Sequence, residues 1–446
     1  MFLCDIFTQI QMTANAIDIQ IEGKHKLRGT VVTKTSKNGA MGLLAASLLN
    51  RGKTTLKQVP HIEEVFRIIE VFESIGVSVK WSGDNLEIIP PTTFLMDSLD
   101  KVAAEKTRSV IMLIGPLIHS LKKFSLPQAG GCKLGSRTVK PHLFALEKLG
   151  VSITTTDSTY EIETKTLIPN EIILYESGDT VTENVIIAAA GIPGTTTIKY
   201  ASANYMGQEV CFFLQKLGIK IEGIGTTTIT VHGKKDIDQD VVYELSEDPI
   251  ESMFFITTAV VTNSNIIIER CPIDFLEIEL LKLEKMGFNF KILKKYTARN
   301  GHTNLVDIET FPSELTALEE KIESRPYPGL NIDNLPFFAA IATQASGTTF
   351  IHDWVYEKRA IHLQKLDKLG VETNLADPHR IYITGRSTLT AAEIICPPAL
   401  RPAAIILIVM LGAEGKSILR NIYSINRGYE DIIKRLNNLG AKIEIL

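Results

Sequence analysis

Six times along this chain an amphipathic stretch runs into an apolar residue, a glycine and then an apolar/polar alternation. The phrase reads Ile75-Gly76-Val77, Leu149-Gly150-Val151, Leu217-Gly218-Ile219, Met286-Gly287-Phe288, Leu369-Gly370-Val371 and Leu439-Gly440-Ala441. Its return at intervals of roughly 70 residues makes the chain six copies of one supersecondary unit. Val65 to Ser74 and Glu430 to Asn438 carry the helical face that precedes the glycine, and Val77, Val79 and Trp81 or Ile219 and Ile221 alternate after it. Glycine supplies a left-handed stop that other residues adopt only at a cost, so each unit reads as a helix, a stop and a return strand. Six such units predict an α/β protein.

Composition narrows what the units can build. With 446 residues, 45% of them hydrophobic and 22% charged, the chain can bury the cores of two or three domains. A net charge of −4 argues against a general nucleic-acid or acidic-membrane binder while leaving room for a local basic pocket. Cys4, Cys132, Cys211, Cys271 and Cys396 are scattered without a C-x-x-C pair, as expected of a protein kept in a reducing cytoplasm. The nine histidines form no H-x-x-x-H pattern, and no metal is expected. Met1 to Met12 is mildly apolar but contains Asp5 and lacks a basic start and a small-residue cleavage site, so it reads as an extension and not as a secretory signal. Ala403 to Ala413, the longest apolar run, is too short to span a bilayer and reads as a buried helix.

An acidic stretch with Glu244, Glu247 and Asp248, closed by Pro249, precedes a new apolar helix pattern at Phe254 to Val261. We place a domain crossing at Val241 to Pro249. Glycines 76, 150 and 218 then lie before it and 287, 370 and 440 after it, which predicts two similar halves with a cleft between them.

Four groups of residues break the apolar pattern. Ser36-Lys37-Asn38-Gly39-Ala40 leads into the helical run Met41 to Leu49 and sets a lysine at a helix start, where free N–H groups favour anions, although no Gly-x-x-x-x-Gly-Lys phosphate loop is present. Ala129-Gly130-Gly131-Cys132-Lys133-Leu134-Gly135-Ser136-Arg137 flanks a thiol with glycines and cations. A lone cysteine is commonly a buried hydrophobe, but Lys133 and Arg137 favour its thiolate and make a reactive group of it. Arg325-Pro326-Tyr327-Pro328-Gly329 delivers Asp333 just before the apolar run Leu335 to Ile341, a pattern that by itself suggests a helix cap. Arg108, Arg359, Arg401 and Arg427 stand in or beside apolar segments, where a guanidinium needs an anionic partner; several together point to a phosphate- or carboxylate-binding cleft.

Taken together, these segments resemble the enolpyruvyl transferases, and within them the UDP-N-acetylglucosamine 1-carboxyvinyltransferase branch, from about Ile17 to Leu446. Ser36-Lys37-Asn38 is similar to the family's Ala-Lys-Asn, and Leu56 to Val65 to its Leu-x-x-Val-Pro-x-x-x-Asp-Val. Thr107-Arg108-Ser109 and Gly115-Pro116-Leu117 resemble its Met-Arg-Ala-Ser and Leu-Gly-Pro-Leu elements. Gly130 to Arg137 resembles its Gly-Gly-Cys-x-x-Gly-x-Arg loop, Pro328 to Asp333 its Pro-Gly-Phe-x-Thr-Asp, Glu357-Lys358-Arg359 its Glu-Asn-Arg and Arg427 to Glu430 its Arg-Gly-Tyr-Glu.

The resemblance implies two similar domains, residues 37–247 and residues 1–36 with 248–446, each made of three βα-rich units around a pseudo-threefold axis in an inside-out barrel. It implies transfer of the enolpyruvyl group of phosphoenolpyruvate to the 3'-hydroxyl of UDP-N-acetylglucosamine with release of phosphate, at the entry to peptidoglycan synthesis. In that reaction Lys37, Arg137 and Arg427 would hold the phosphate and carboxylate, with Arg108, Arg359 and Arg401 nearby. Cys132 would protonate the methylene carbon, Asp333 would take the hydroxyl proton and Asn38 would contact the sugar. No cofactor is implied. Phosphoenolpyruvate and a UDP-sugar are the expected small-molecule partners, with no nucleic acid and no membrane insertion, and the chain is expected to act as a monomer.

The chain departs from the family on the nucleotide side. Arg137-Thr138-Val139-Lys140 replaces Arg-Pro-Val-Asp, Ala399-Leu400-Arg401 replaces Asp-Leu-Arg, Glu176-Ser177-Gly178-Asp179-Thr180 replaces Ser-Val-Gly-Ala-Thr, and Pro249 to Phe254 replaces Arg-Ile-Glu-x-Gly-Thr. Two alternatives follow: a paralogue using the same chemistry on another nucleotide or nucleotide-sugar hydroxyl, or a non-catalytic homologue.

Overall fold

A computed structural model describes residues 17–128 and 138–446. All six repeat glycines adopt the left-handed stop, with φ of +91° at Gly76, +95° at Gly150, +77° at Gly218, +96° at Gly287, +82° at Gly370 and +99° at Gly440. Each terminates a helical segment and opens a strand. The first runs from the helix Glu63–Ser74 into Ser78–Ser82, and the last from Ile432–Asn438 into Lys442–Ile445.

The strands among the described residues form six sheets, one for each glycine, and the sheets share a plan. Thr54–Lys57 carries a parallel edge strand, Val241–Glu244, on one side; on the other it pairs antiparallel with Asn85–Ile89, which pairs in turn with Ser78–Ser82. The same order recurs around Gly194–Lys199, Asn265–Pro272 and Lys416–Arg420. Around Ala345–His352 the parallel edge is split into Leu315–Thr316 and Ile322–Glu323. The sheet Lys123–Pro127, Thr159–Thr164, Val151–Thr155 has no parallel edge strand among the described residues.

Apolar side chains gather into two cores. One draws on residues from Ala40 to Leu245, and the other joins Ile19 to Val31 with Ile250 to Ile443. At the centre of the first, Lys37–Ser47, Ile114–Leu117 and Asp179–Ala190 pack on one another; at the centre of the second, Pro249–Thr262, Phe337–Ala342 and Leu400–Gly412 do the same. Pro249–Thr262 is buried at every position and Leu400–Gly412 from Arg401 to Leu411, so these helices are enclosed on every side. The outer helix Glu63–Ser74 instead keeps one stripe inside, with Val65, Ile68, Ile69, Val71 and Phe72 in the core.

The chain passes between the cores twice, side by side. Ser36 donates its N–H to the Ser246 carbonyl at 2.8 Å and Asp248 donates its N–H to the Lys34 carbonyl at 2.8 Å, around an antiparallel bridge between Thr35 and Glu247. Two helices begin immediately after these crossings. The Ser36 hydroxyl accepts from Gly39 N–H at 3.0 Å to cap one, and Asp248 accepts from Ile250 N–H at 2.8 Å, ahead of Pro249, to cap the other. The pairing therefore brings the helix start that carries Lys37 and Asn38 beside the helix start of the opposite half.

Candidate active site

Between the halves lies a cavity of about 580 Å³, lined from one side by Lys37, Asn38, Glu64 and Arg108 and from the other by Asp333, Arg359, Arg401 and Arg427. Its walls include the first turns of Lys37–Ser47, Asp179–Ala190 and Leu400–Gly412, whose helix dipoles add to the positive potential there.

Lys37 Nζ lies 2.8 Å from a Glu64 carboxylate oxygen, and Arg427 reaches the same oxygen from the other half at 3.6 Å. Burial pushes the Glu64 carboxyl up, but the charges of Lys37 and Arg427 outweigh it and leave the group below its ordinary range, so it is ionised. Lys37 also donates its backbone N–H to Asp248 at 3.4 Å. Asp248 is lifted to about 6 by burial, against the pull of Arg401.

Asp333 is not a helix cap. The following helix, Phe337–Ala342, starts without a side-chain cap, and the Asp333 carboxylate turns to Arg401 at 3.1 Å and Arg359 at 3.8 Å. Burial opposes its ionisation, yet Arg401 and then Arg359 hold it down at about 2. Arg401 is itself placed by the Tyr429 hydroxyl at 2.9 Å. Arg359, 1% exposed, forks onto both oxygens of Asp353, donates to the Ile332 carbonyl at 2.9 Å and stacks on Tyr356. Much of its capacity is thus spent on holding the turn that presents Asp333.

The remaining wall is acidic. Glu176, Asp179 and Glu183 line it, with Asp274, Glu277 and Glu279 across from them. Asp179 accepts from the Ser202 hydroxyl at 2.5 Å and from Asn204 Nδ2 at 3.3 Å. Glu183 Oε1 is buried without a hydrogen-bond partner, and burial, then the nearby Asp179, push its carboxyl well above the ordinary range. A Cβ at Gly42 would fall 2.4 Å from that oxygen, so only glycine lets the two helices approach there.

Comparison with known proteins sets this geometry in a family. Residues 21–436 match the family model described as EPSP synthase (3-phosphoshikimate 1-carboxyvinyltransferase). The chain belongs to the EPSP synthase family of enolpyruvyl transferases. Among curated members, the UDP-N-acetylglucosamine 1-carboxyvinyltransferase of Bradyrhizobium diazoefficiens is 32% identical over 95% of this chain and 97% of its own length. That of Treponema denticola is 32% identical over 95% and 98%. In fold the chain is similar to the enolpyruvyl transferase NikO from Streptomyces tendae, with a TM-score of 0.84 at 22% identity over 97% of this chain and 99% of that one. EPSP synthase from Acinetobacter baumannii superposes with a TM-score of 0.74 at 18% identity over 96% and 100%.

Of the enolpyruvyl-transferase residues singled out in the sequence, Lys37, Asn38, Arg108, Asp333, Arg359, Arg401 and Arg427 all line the one cavity. Cys132 and Arg137, with the rest of the Gly130 to Arg137 loop, lie outside the described residues, as does Met1 to Met12. On the far side of that loop Thr138 lines the cavity and its carbonyl accepts from Arg108 at 3.2 Å, whereas Lys140 is exposed at the start of the helix Lys140–Glu147. Sequence reasoning passed over Glu64 as a site residue. Glu64 looks like an ordinary acidic residue in a helix's first turn, and the only hint was its place in the Leu56 to Val65 motif. Among the described residues no group of three His, Cys, Asp or Glu side chains is set to hold a metal, and no helix is long and apolar enough to cross a membrane.

Proposed function

We propose that this chain transfers the enolpyruvyl group of phosphoenolpyruvate to the 3'-hydroxyl of UDP-N-acetylglucosamine and releases phosphate, the first committed step of peptidoglycan precursor synthesis. The observation that carries this reading is the convergence of Lys37 and Arg427, from opposite halves, on Glu64 in the same cavity as the Asp333–Arg401 pair. Lys37 and Arg427, with Arg137, hold the phosphate, and Arg401 and Arg108 steady the anionic substrates, a preorganised field that replaces water. Cys132 gives a proton to the methylene carbon while the acceptor oxygen bonds to the adjacent carbon and Asp333 takes the hydroxyl proton. The tetrahedral adduct then loses phosphate while the Cys132 thiolate takes back a methyl proton, which restores the alkene and the thiol, and the proton held by Asp333 leaves with the phosphate. Sharing Arg401 and Arg359 with a substrate carboxylate weakens their hold on Asp333 and raises it from about 2 toward a useful basicity. The residues 37–247 and 1–36 with 248–446 form the two domains, and the chain works as a monomer in the cytoplasm.

A second reading, a paralogous acceptor, is favoured by Glu176 and Asp179, carboxylates in the wall that replaces the family's diphosphate loop. Phosphate release from phosphoenolpyruvate, measured with UDP-N-acetylglucosamine, UDP-glucose, UMP and shikimate 3-phosphate, separates the two. Fastest turnover of UDP-N-acetylglucosamine supports the first reading; turnover of UMP or another acceptor far above it supports the second.

A further inference from the structure

Tyr205 opens the helix Tyr205–Lys216 and is 5% exposed, and three sets of contacts fix it. Its backbone N–H is taken by Asn204 Oδ1 at 2.9 Å, and Asn204 in turn donates to Asp179. Its ring meets Phe275 of the opposite half edge-on at 5.7 Å, and Phe275 packs at 5.2 Å on Tyr327, in the turn that delivers Asp333. Its hydroxyl accepts from Asn38 Nδ2 at 3.0 Å. A tyrosine hydroxyl has one proton to give and lone pairs to offer, and its surroundings decide which side faces which neighbour.

Burial, and then the charges of Asp248 and Asp333, act on the Tyr205 hydroxyl and push it well above its ordinary range, so it keeps its proton. With Asn38 Nδ2 as the donor at 3.0 Å, it is a lone pair of the hydroxyl that faces Asn38. Only the Nδ2 end of the Asn38 amide satisfies a lone pair, so the Oδ1 end is the one left for the cavity that Asn38 lines. We infer that Tyr205 is a positioning residue that sets the direction of the Asn38 amide, so that Asn38 presents an acceptor and selects an enolpyruvyl acceptor with a hydroxyl or amide N–H donor at that point. The inference rests on the proposed transfer reaction and adds a specificity element to it.

Tyr205→Phe keeps the ring contacts and removes only the hydroxyl. With the acceptor that the wild-type chain turns over, the variant should raise the acceptor KM about tenfold, the worth of one oriented hydrogen bond, with the phosphoenolpyruvate KM and the melting temperature unchanged. If Tyr205 acts through Asn38, the double variant Tyr205→Phe/Asn38→Ala should be no worse than Asn38→Ala alone. Additive losses, or an unchanged acceptor KM in Tyr205→Phe, would overturn the inference. If the wild-type chain turns over none of the acceptors, the transfer reading fails by itself. A crystal structure of Tyr205→Phe still decides the role of Tyr205: a turned Asn38 amide supports it and an unmoved one refutes it.

Discussion

Lys37 Nζ and the Glu64 carboxylate meet at 2.8 Å on the floor of the cleft, and the oxygen they share with Arg427 ties one half of the molecule to the other. Both partners are largely buried, with side-chain exposures of 17% and 8%, so the pair is costly to break. Glu64→Gln leaves two buried cations facing each other. The expected loss of unfolding free energy is about 3 kcal/mol, and inorganic phosphate should raise the melting temperature of the variant more than that of the wild type because it restores an anion between the cations. Equal phosphate effects on the two proteins would contradict this arrangement.

Asp333 supplies an acid-sensitive part of the stability. Its folded value of about 2 lies below the ordinary 3.8, so its contribution is fully present above pH 4 and disappears as the pH falls toward 2. Chemical unfolding between pH 2 and pH 5 should therefore show a steeper loss in the wild type than in Asp333→Asn. The same variant should lower kcat by about 10²–10⁴-fold, as expected on removing a general base. A variant with wild-type turnover would remove Asp333 from the mechanism.

Glu209 has the opposite sign. It accepts the Ser246 N–H at 2.8 Å beside the crossing, and burial lifts its carboxyl to about 7. The folded chain then holds a proton that the unfolded chain has released, so stability falls as the pH rises from about 4.5 to 7, by about 3 kcal/mol for this group. Glu279, also lifted by burial to about 7, adds to the same slope. Glu209→Gln should flatten the curve in this window and leave the Glu279 part. An unchanged slope in the variant would show that Glu209 is ionised in the folded chain.

The repeat was legible because its signal is local: a left-handed residue must follow each helix, and glycine fills that place at all six positions. Lys37 and Asn38 were legible for a similar reason, standing next to a helix start. Glu64 was hidden because its meaning comes from Arg427, a residue far along the chain that only the fold brings near. Asp333 misled as a pattern, since an acid before an apolar helix usually caps it, and here the buried Arg401 and Arg359 compete for the carboxylate and win. Tyr205 gave no signal at all; its hydroxyl matters through Asn38, which the sequence places far away on another helix.

The most direct test of the account follows a single mixture of the purified chain, phosphoenolpyruvate and UDP-N-acetylglucosamine by mass spectrometry and phosphate assay. The account predicts one phosphate released for each nucleotide sugar that gains an enolpyruvyl group, and loss of both signals in Cys132→Ala with its melting temperature preserved. Phosphate release without the enolpyruvyl ether, or equal turnover in Cys132→Ala, would contradict it.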